Sequence, residues 1–505
     1  MSYREVLREI EHRGLSVELF GPDLWVQGDR TCMDPEFVAR LRAAKPDLIH
    51  HLRQVELHGP GFPLTPLQHA RLRTGDPGAA GGHVYHEIEG CWDVDRLQEA
   101  LAAVVDAHSG LRSRFSATGR QITEIRGCRT RISRLDLRAH GTREQTRIRG
   151  ELREERVHRT LPVDRAPLLA VEVTVLADDR MVLHVSHDGL VMDGASMFLF
   201  FRAWWQEYAQ HGRTRTAPPE ELLYEEYVAA LEEACERAPA RRAREYWLAR
   251  IDGLAPAPRL PLRAGPLPAG PPRFSQRRAR LDREAWAALK ERAADAGLTV
   301  TVVLLAAYAQ TLARWGAGAR FTLGATVPHR PPVHPRIRHA IGQYSDLLLV
   351  EAEVDRSLTF AERARLLHAR LREDLAHRDH SGVLVLRELA RRAGAPAALM
   401  PYAFCSAVEQ DGGADGSALE LFGPEVHTVS QSPQTWLTAF AMEQHGALVV
   451  QLDGIDALFP EGLLDALALG YQALLRELTD RLAWQRTLLS ELPDPGLPGH
   501  GTRPS

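Results

Sequence analysis

Lysine is nearly missing: Lys45 and Lys290 are the only two among 62 basic residues, and arginine carries the rest of the positive charge. A nucleotide-binding phosphate loop needs its lysine in G-x-x-x-x-G-K-[ST]. Neither lysine sits in that setting, so nucleotide hydrolysis by that route is excluded. Cysteine is scarce as well. Cys32, Cys91, Cys128, Cys235 and Cys405 are odd in number, scattered and never spaced C-x-x-C. That pattern excludes a disulfide framework and a zinc ribbon, and it fits a reducing cytoplasm in which each thiol is a small buried hydrophobe. No run of about eighteen uncharged apolar residues exists, so no membrane-spanning helix is expected. The first residues, MSYREVLREIEHRG, alternate charges without the apolar core of a secretion signal. The formal net charge is −4 and no long basic run occurs, which argues against a nucleic-acid partner. G-x-S-x-G and H-E-x-x-H are absent too, leaving a serine-hydrolase elbow and a zincin site without support. The 22 histidines are dispersed. Those in HVYH (83–86) and HH (50–51) read as solvated surface rather than as ligands, and no metal is expected.

What is present is ample apolar material: 505 residues, 44% apolar and 25% charged, a soluble globular composition. At roughly 100–200 residues per domain, about three domains are expected. Residues 1–56 form the first. Val6, Leu7 and Ile10 recur at helical spacing up to Gly14. LSVELF (15–20) and DLWVQG (23–28) alternate on either side of Gly21-Pro22 and read as a hairpin. Asp34-Pro35 is an N-cap followed by proline at the first helical position. That helix is expected to stop at Ala44, with Lys45-Pro46 opening a second short one. The resulting αββαα unit is too small for an enzyme site and has the size of an adaptor. A linker at 57–61 follows, around Gly59-Pro60-Gly61. Residues 62–240 and 241–487 then make two α+β halves of similar size, and the polar, Pro/Gly-rich 488–505 reads as a disordered tail.

The densest chemistry lies in HVSHDGLVMDGAS (184–196). An apolar strand breaks at Gly189 into a loop with a second Asp-Gly. Alternation puts His184, Ser186 and Asp188 on one face and Val185 and His187 on the other. Carboxylates at the end of a buried strand are costly unless paired or hydrogen-bonded. Asp193 is therefore expected to pair with an arginine, and Arg112 in GLRSRF is the candidate for this structural ion pair.

Asp188-GLVM-Asp193-GA-Ser196 resembles the D-x-x-x-x-D-x-x-S motif of heterocyclization domains, relatives of the condensation domains of nonribosomal peptide synthetases. Ordinary condensation domains carry H-H-x-x-x-D-G there. Counted back from Asp193, their two histidine positions are Asp188 and Gly189, and His187 falls one residue early. Other motifs follow in the family's order. FPLTPLQ (62–68) is similar to F-P-L-[TS]-x-x-Q, and AHSGLRSRF with Gly119-Arg120-Gln121 to H-x-x-L … G-x-Q. LAPAPRLPL (254–262) resembles the proline-rich segment and TLARW (311–315) the L-x-x-W element. Residues 1–55, ending in KPDLIHHLR, resemble a TubC-type docking domain.

The resemblance implies an α+β fold: two chloramphenicol-acetyltransferase-like lobes forming a V-shaped pseudo-dimer with a central tunnel, preceded by the αββαα docking domain. It implies no cofactor bound by the chain, because donor acyl and acceptor aminoacyl groups arrive as thioesters on the phosphopantetheine arms of carrier proteins. The sequence holds no carrier-attachment serine loop and no adenylation domain, so a stand-alone enzyme served by both carriers in trans is expected. An upstream synthetase's C-terminal segment would dock on the hairpin edge of 1–56, with Arg30, Arg40, Arg42 and Lys45 as its readers and a docking-domain homodimer as the expected state. Eight bases against nine acids in residues 1–55 give no strong global attraction.

Two departures from the family bear on the chemistry. P-V-V-F-T-S appears as Pro401-Tyr-Ala-Phe-Cys405-Ser406, and P-Q-V-x-L-D-H as Pro433-Gln434-Thr-Trp-Leu-Thr438-Ala439. The threonine and aspartate that the family uses for cyclodehydration are thus Cys405 and Thr438 here. In the G-D-F-T element, Gln343 replaces the acid. Thr438 cannot act as a carboxylate base, and a neutral thiol is a weak donor. The resemblance therefore implies catalytic candidates at Asp188, Asp193, Ser196, Cys405, Ser406, Gln434 and Thr438, and an acyltransferase that condenses without the usual cyclodehydration. The alternatives are a catalytically silent recruitment scaffold and a condensation partner of a second domain that cyclises in trans.

Overall fold

The computed structural model describes the chain except residues 1–2, 14, 21–22, 28–31, 59–60, 73–81, 117–118, 125–129, 211–221, 265–271, 409–417, 433 and 488–505. Arg30, Cys128, the Gly21-Pro22 turn and the tail thus lie outside the described residues, as do the side chains of His50 and His51.

The N-terminal unit is a helix Tyr3–His12, a hairpin of Ser16–Phe20 and Asp23–Gln27, and a helix Pro35–His58. Its core holds Val6, Ile10, Leu15, Phe37, Leu41 and Leu48. The expected break at Lys45-Pro46 does not occur, and the unit is αββα: one helix runs through Pro46. Proline there forfeits one backbone bond. Leu41, Ala44 and Leu48 stay buried on one face across it, and that burial holds the helix together. Arg40 is not a free reader of a partner. It bonds Glu9 at 2.6 Å and Glu36 at 2.7 Å, while Arg13 joins Glu9 to Asp34. These bonds, that to Arg40 foremost, hold the Glu9 carboxyl below its ordinary value. Arg42 is exposed and Lys45 half-buried.

Besides a small sheet of Phe62–Pro63, Arg120–Thr123 and Ser113–Phe115, the remaining chain builds two larger sheets. The first has five strands in the order Glu425–Ser430, His83–Gly90, Arg180–Asp188, Leu169–Ala177 and Ile132–Asp136. The second has six, in the order Phe274–Leu281, Ala447–Ile455, Leu437–Gln444, Tyr402–Ser406, Arg320–Pro328 and Ser345–Glu353. Helices Val94–Ala107 and Gly194–Ala209 pack on the first sheet, with Trp204 fully buried. The apolar helix Val300–Leu312 is buried along nearly its whole length beneath the second.

The halves are not divided cleanly at 240. Strand Glu425–Ser430 leaves the second half and pairs antiparallel with His83–Gly90 of the first. Leu419 and Phe422, just before it, pack into the first half's core, where Phe422 lies 4.9 Å from the Trp204 ring. Phe422→Ala should therefore destabilise the first half, by about 3–5 kcal/mol. Urea denaturation followed by tryptophan fluorescence measures this directly.

Candidate active site

The sequence motifs converge as side-chain contacts. Gln68 of FPLTPLQ donates to the Gln121 side chain at 2.8 Å and to the Leu190 carbonyl at 2.9 Å. Gln121 in turn donates to Ser113 at 2.7 Å. The opening motif, the G-x-Q element and the loop after Asp188 are thereby locked together.

Asp193 caps the helix Gly194–Ala209, accepting from Ser196 N at 2.7 Å. Its other oxygen accepts from Tyr344 N at 2.9 Å and Ser345 Oγ at 2.8 Å. Arg112 is not its cation. Arg112 donates to the Glu124 carbonyl, and the guanidinium beside Asp193 is that of Arg330, at 3.6 Å. Arg330 also lies over the Tyr344 ring and donates to Ser196 Oγ at 2.8 Å. Ser196 is fully buried and bonds the Gly342 backbone through both carbonyl and N–H. Asp193 and Ser196 thus fasten the first half to the segment 342–345 of the second, which leads into the strand Ser345–Glu353.

Between the halves lies a cavity of about 150 Å³. Asp193, Cys405, Ser406 and Thr438 all line it, whereas Asp188, Ser196 and Gln434 are not among its lining residues. Strand pairing explains the split. Val84↔His187 and His86↔Val185 put His86 and His187 on the cavity face, while His83↔Asp188 puts Asp188 on the other. Asp188 accepts from Leu190 N at 2.8 Å, and burial pushes its carboxyl up to about 7 against the opposing pull of Arg71. Arg71 donates to the Gly189 carbonyl and lines the cavity. A Cβ at Gly189 would come 2.7 Å from Arg71 Nη1, so this position has no room for a side chain while Arg71 stays there. Gln434 donates to the Ala70 carbonyl at 2.9 Å, tying the second half to the helix Pro66–Leu72.

Cys405 and Thr438 lie on the parallel strands Tyr402–Ser406 and Leu437–Gln444, paired Ala403↔Thr438 and Cys405↔Phe440. That register makes them diagonal neighbours, about 8 Å apart by sheet geometry. Burial pushes the Cys405 thiol above its ordinary value, opposed by a contact with Thr326, so it is protonated at neutral pH. Thr438 bonds Thr435 Oγ1 at 3.1 Å and Ser406 bonds Thr301 at 3.2 Å. Across from Thr438 in the antiparallel register sits Asp453, buried, holding two bonds from Gln451 and one from Ser430 N. Burial raises its carboxyl to about 7 despite those donors. A folded value above the unfolded one gives stability that is complete below about pH 4 and lost as pH rises through about 7. Asp453→Asn should therefore gain stability relative to the parent on going from pH 5 to pH 8. Urea melts at the two pH values measure that difference.

Of the histidines read as surface, the two described ones are not there. His83 and His86 are buried, whereas Cys91 and Cys235, read as buried, are exposed. The crossover strand brings Glu425 to His86, Oε1 to Nδ1 at 2.8 Å, with Thr428 Oγ1 at 3.1 Å. His187 stacks on His86 at 5.8 Å between ring centroids. Periodicity gave the parity of His187 correctly but not which face meets the cavity. His86 and Glu425 are 339 positions apart, beyond the reach of any local pattern.

Residues 62–482 match the Condensation domain family model. The chain is 34% identical over 528 residues to "Pyochelin synthetase PchF" of Pseudomonas aeruginosa (strain UCBPP-PA14), an alignment covering 99% of this chain and 28% of that protein. It is 33% identical over 451 residues to "Phenyloxazoline synthase MbtB" of Mycolicibacterium paratuberculosis, covering 86% of this chain and 37% of that one. The chain thus spans well under half the length of these relatives. Among solved structures, the EpoB NRPS cyclization-docking bidomain from Sorangium cellulosum superimposes with a TM-score of 0.76 at 31% identity, covering 96% of this chain and 99% of that one. The two sheets, the latch at Asp193 and the extent of the family match lead to one assignment: the chain belongs to the condensation-domain family of nonribosomal peptide synthesis, with heterocyclization-type relatives.

Proposed function

We propose that the chain forms an amide between a donor acyl thioester and an acceptor aminoacyl thioester, both carried on phosphopantetheine arms of carrier proteins, and releases it without the usual cyclodehydration. The observation that carries the reading is the cavity between the halves, in which Cys405 and Thr438 stand where the family resemblance assigns a threonine and an aspartate. Holding both thioesters in one enclosure makes the attack effectively intramolecular, worth up to about 7–11 kcal/mol. A thiolate is already a good leaving group, so positioning carries much of that step. Expelling an amide oxygen as water is harder and needs a placed acid and base. A protonated Cys405 and a neutral Thr438 do not supply that pair.

Single-turnover incubation with loaded donor and acceptor carriers tests the proposal, amide appearance being the readout. An unchanged donor thioester would instead assign a recruitment scaffold. Residues 1–56 are proposed to dock an upstream synthetase segment, a reading supported by the coverage of the EpoB bidomain. Deleting them should slow transfer from the upstream carrier while turnover of a soluble donor thioester mimic stays intact. Equal loss of both would contradict the docking role.

A further inference from the structure

The cavity holds a second set of polar groups, and the family motifs do not include them. His86 receives a carboxylate on one ring nitrogen: Glu425 Oε1 lies 2.8 Å from Nδ1, and both side chains are buried. Glu425 is itself held by Gln444 at 3.0 Å and by the Arg278 guanidinium at 3.7 Å. A carboxylate acceptor at Nδ1 fixes the proton there and leaves Nε2 with a lone pair. That Nε2 is buried and has no hydrogen-bond partner among the described residues. Neither ring nitrogen of His187, stacked alongside, has one either. An orphaned buried polar atom is costly unless something meets it, and both rings line the cavity.

Resting on the condensation reading above, we infer that His86, oriented by Glu425, is the base that takes the proton of the attacking acceptor amine. The amine nitrogen bonds to the thioester carbonyl carbon and the C–S bond breaks. The amine proton passes to His86 Nε2 and then to the departing phosphopantetheine thiolate, so the reaction is proton-neutral overall. His187 packs against His86 as a neutral neighbour: burial, with His86 and His83 beside it, holds its ring well below its ordinary value. Glu425 is a positioning residue, acting through His86. This arrangement puts a histidine base in the cavity from the neighbouring strand, where Gly189 leaves the loop without one.

The polar and charged groups around His86 are Glu425 and Thr428 from the crossover strand, Arg278 from Phe274–Leu281, His187 from Arg180–Asp188 and Arg71 from Pro66–Leu72, while His83 and Asp188 lie on the opposite face of the same two strands. The test is single-turnover amide formation by the full chain across pH 6–9, with loaded carriers. His86→Gln should lower the rate by about 10²-fold or more and flatten the acid limb of its pH profile. Glu425→Gln should lower the rate by less than His86→Gln does, because the base remains and loses only its orienting carboxylate. A parent-like rate and profile in His86→Gln overturns the base, while condensation itself stands. A parent chain that forms no amide overturns condensation instead. A second readout is independent of activity: nitrogen-15 NMR of the resting chain should find the His86 ring proton on Nδ1, facing Glu425. A proton on Nε2 would overturn the inference even in a well-folded chain.

Discussion

Asp193→Asn should cost about 3–5 kcal/mol of stability and abolish condensation with it. The carboxylate does four things at once: it caps a helix through Ser196 N, accepts from Tyr344 N, accepts from Ser345 Oγ and faces Arg330. An amide keeps one acceptor oxygen. Its nitrogen, in the place of the second oxygen, would meet the Tyr344 N–H donor to donor, and the half-buried Arg330 would lose its counter-charge. Asp188→Asn is the contrasting case. Asp188 carries no such latch and has a carboxyl at about 7, so an uncharged amide resembles one of its two native forms. Thermal melts of the two variants should separate widely, with Asp193→Asn low and Asp188→Asn near the parent.

The second large effect is a gain. Cys405→Thr combined with Thr438→Asp should convert a linear amide product into one that loses a water molecule, when the acceptor is a cysteinyl, seryl or threonyl thioester. Both positions already line the cavity on adjacent parallel strands, so the exchange rebuilds the family's pair in place. The new carboxylate would lie directly across from Asp453. Two carboxyls sharing a site hold one proton between them, which is the state an acid needs to protonate a departing oxygen. Mass spectrometry of the product thioester reads the change, and Thr438→Asp alone should give less of it than the pair.

Much of this architecture could be read from residue patterns, and the exceptions have physical causes. The apolar strand that runs into Gly189 forms as read, as Arg180–Asp188. FSQRRARL was missed as a strand because Arg277, Arg278 and Arg280 make it look like a loop. In the sheet Arg277 pairs with Asp456 and Asp465, and Arg278 lies near Glu425. The helix through Pro46 was missed because a local breaker outranks periodicity in sequence, whereas in the fold three buried residues outrank one lost bond. Arg330 was missed as the partner of Asp193 because ion pairs across a domain leave no spacing signature. The motif spacing located the Asp193 latch and the Cys405–Thr438 wall. It could not locate the His86–Glu425 pair, which exists only because the segment after Phe422 crosses into the other half's sheet.

The most direct measurement of the central claim is the intact mass of the product thioester, after one turnover with a loaded donor carrier and a cysteinyl-loaded acceptor carrier. The account predicts the mass of the linear amide. A product lighter by one water would contradict it, since Cys405 and Thr438 would then be sufficient for cyclodehydration.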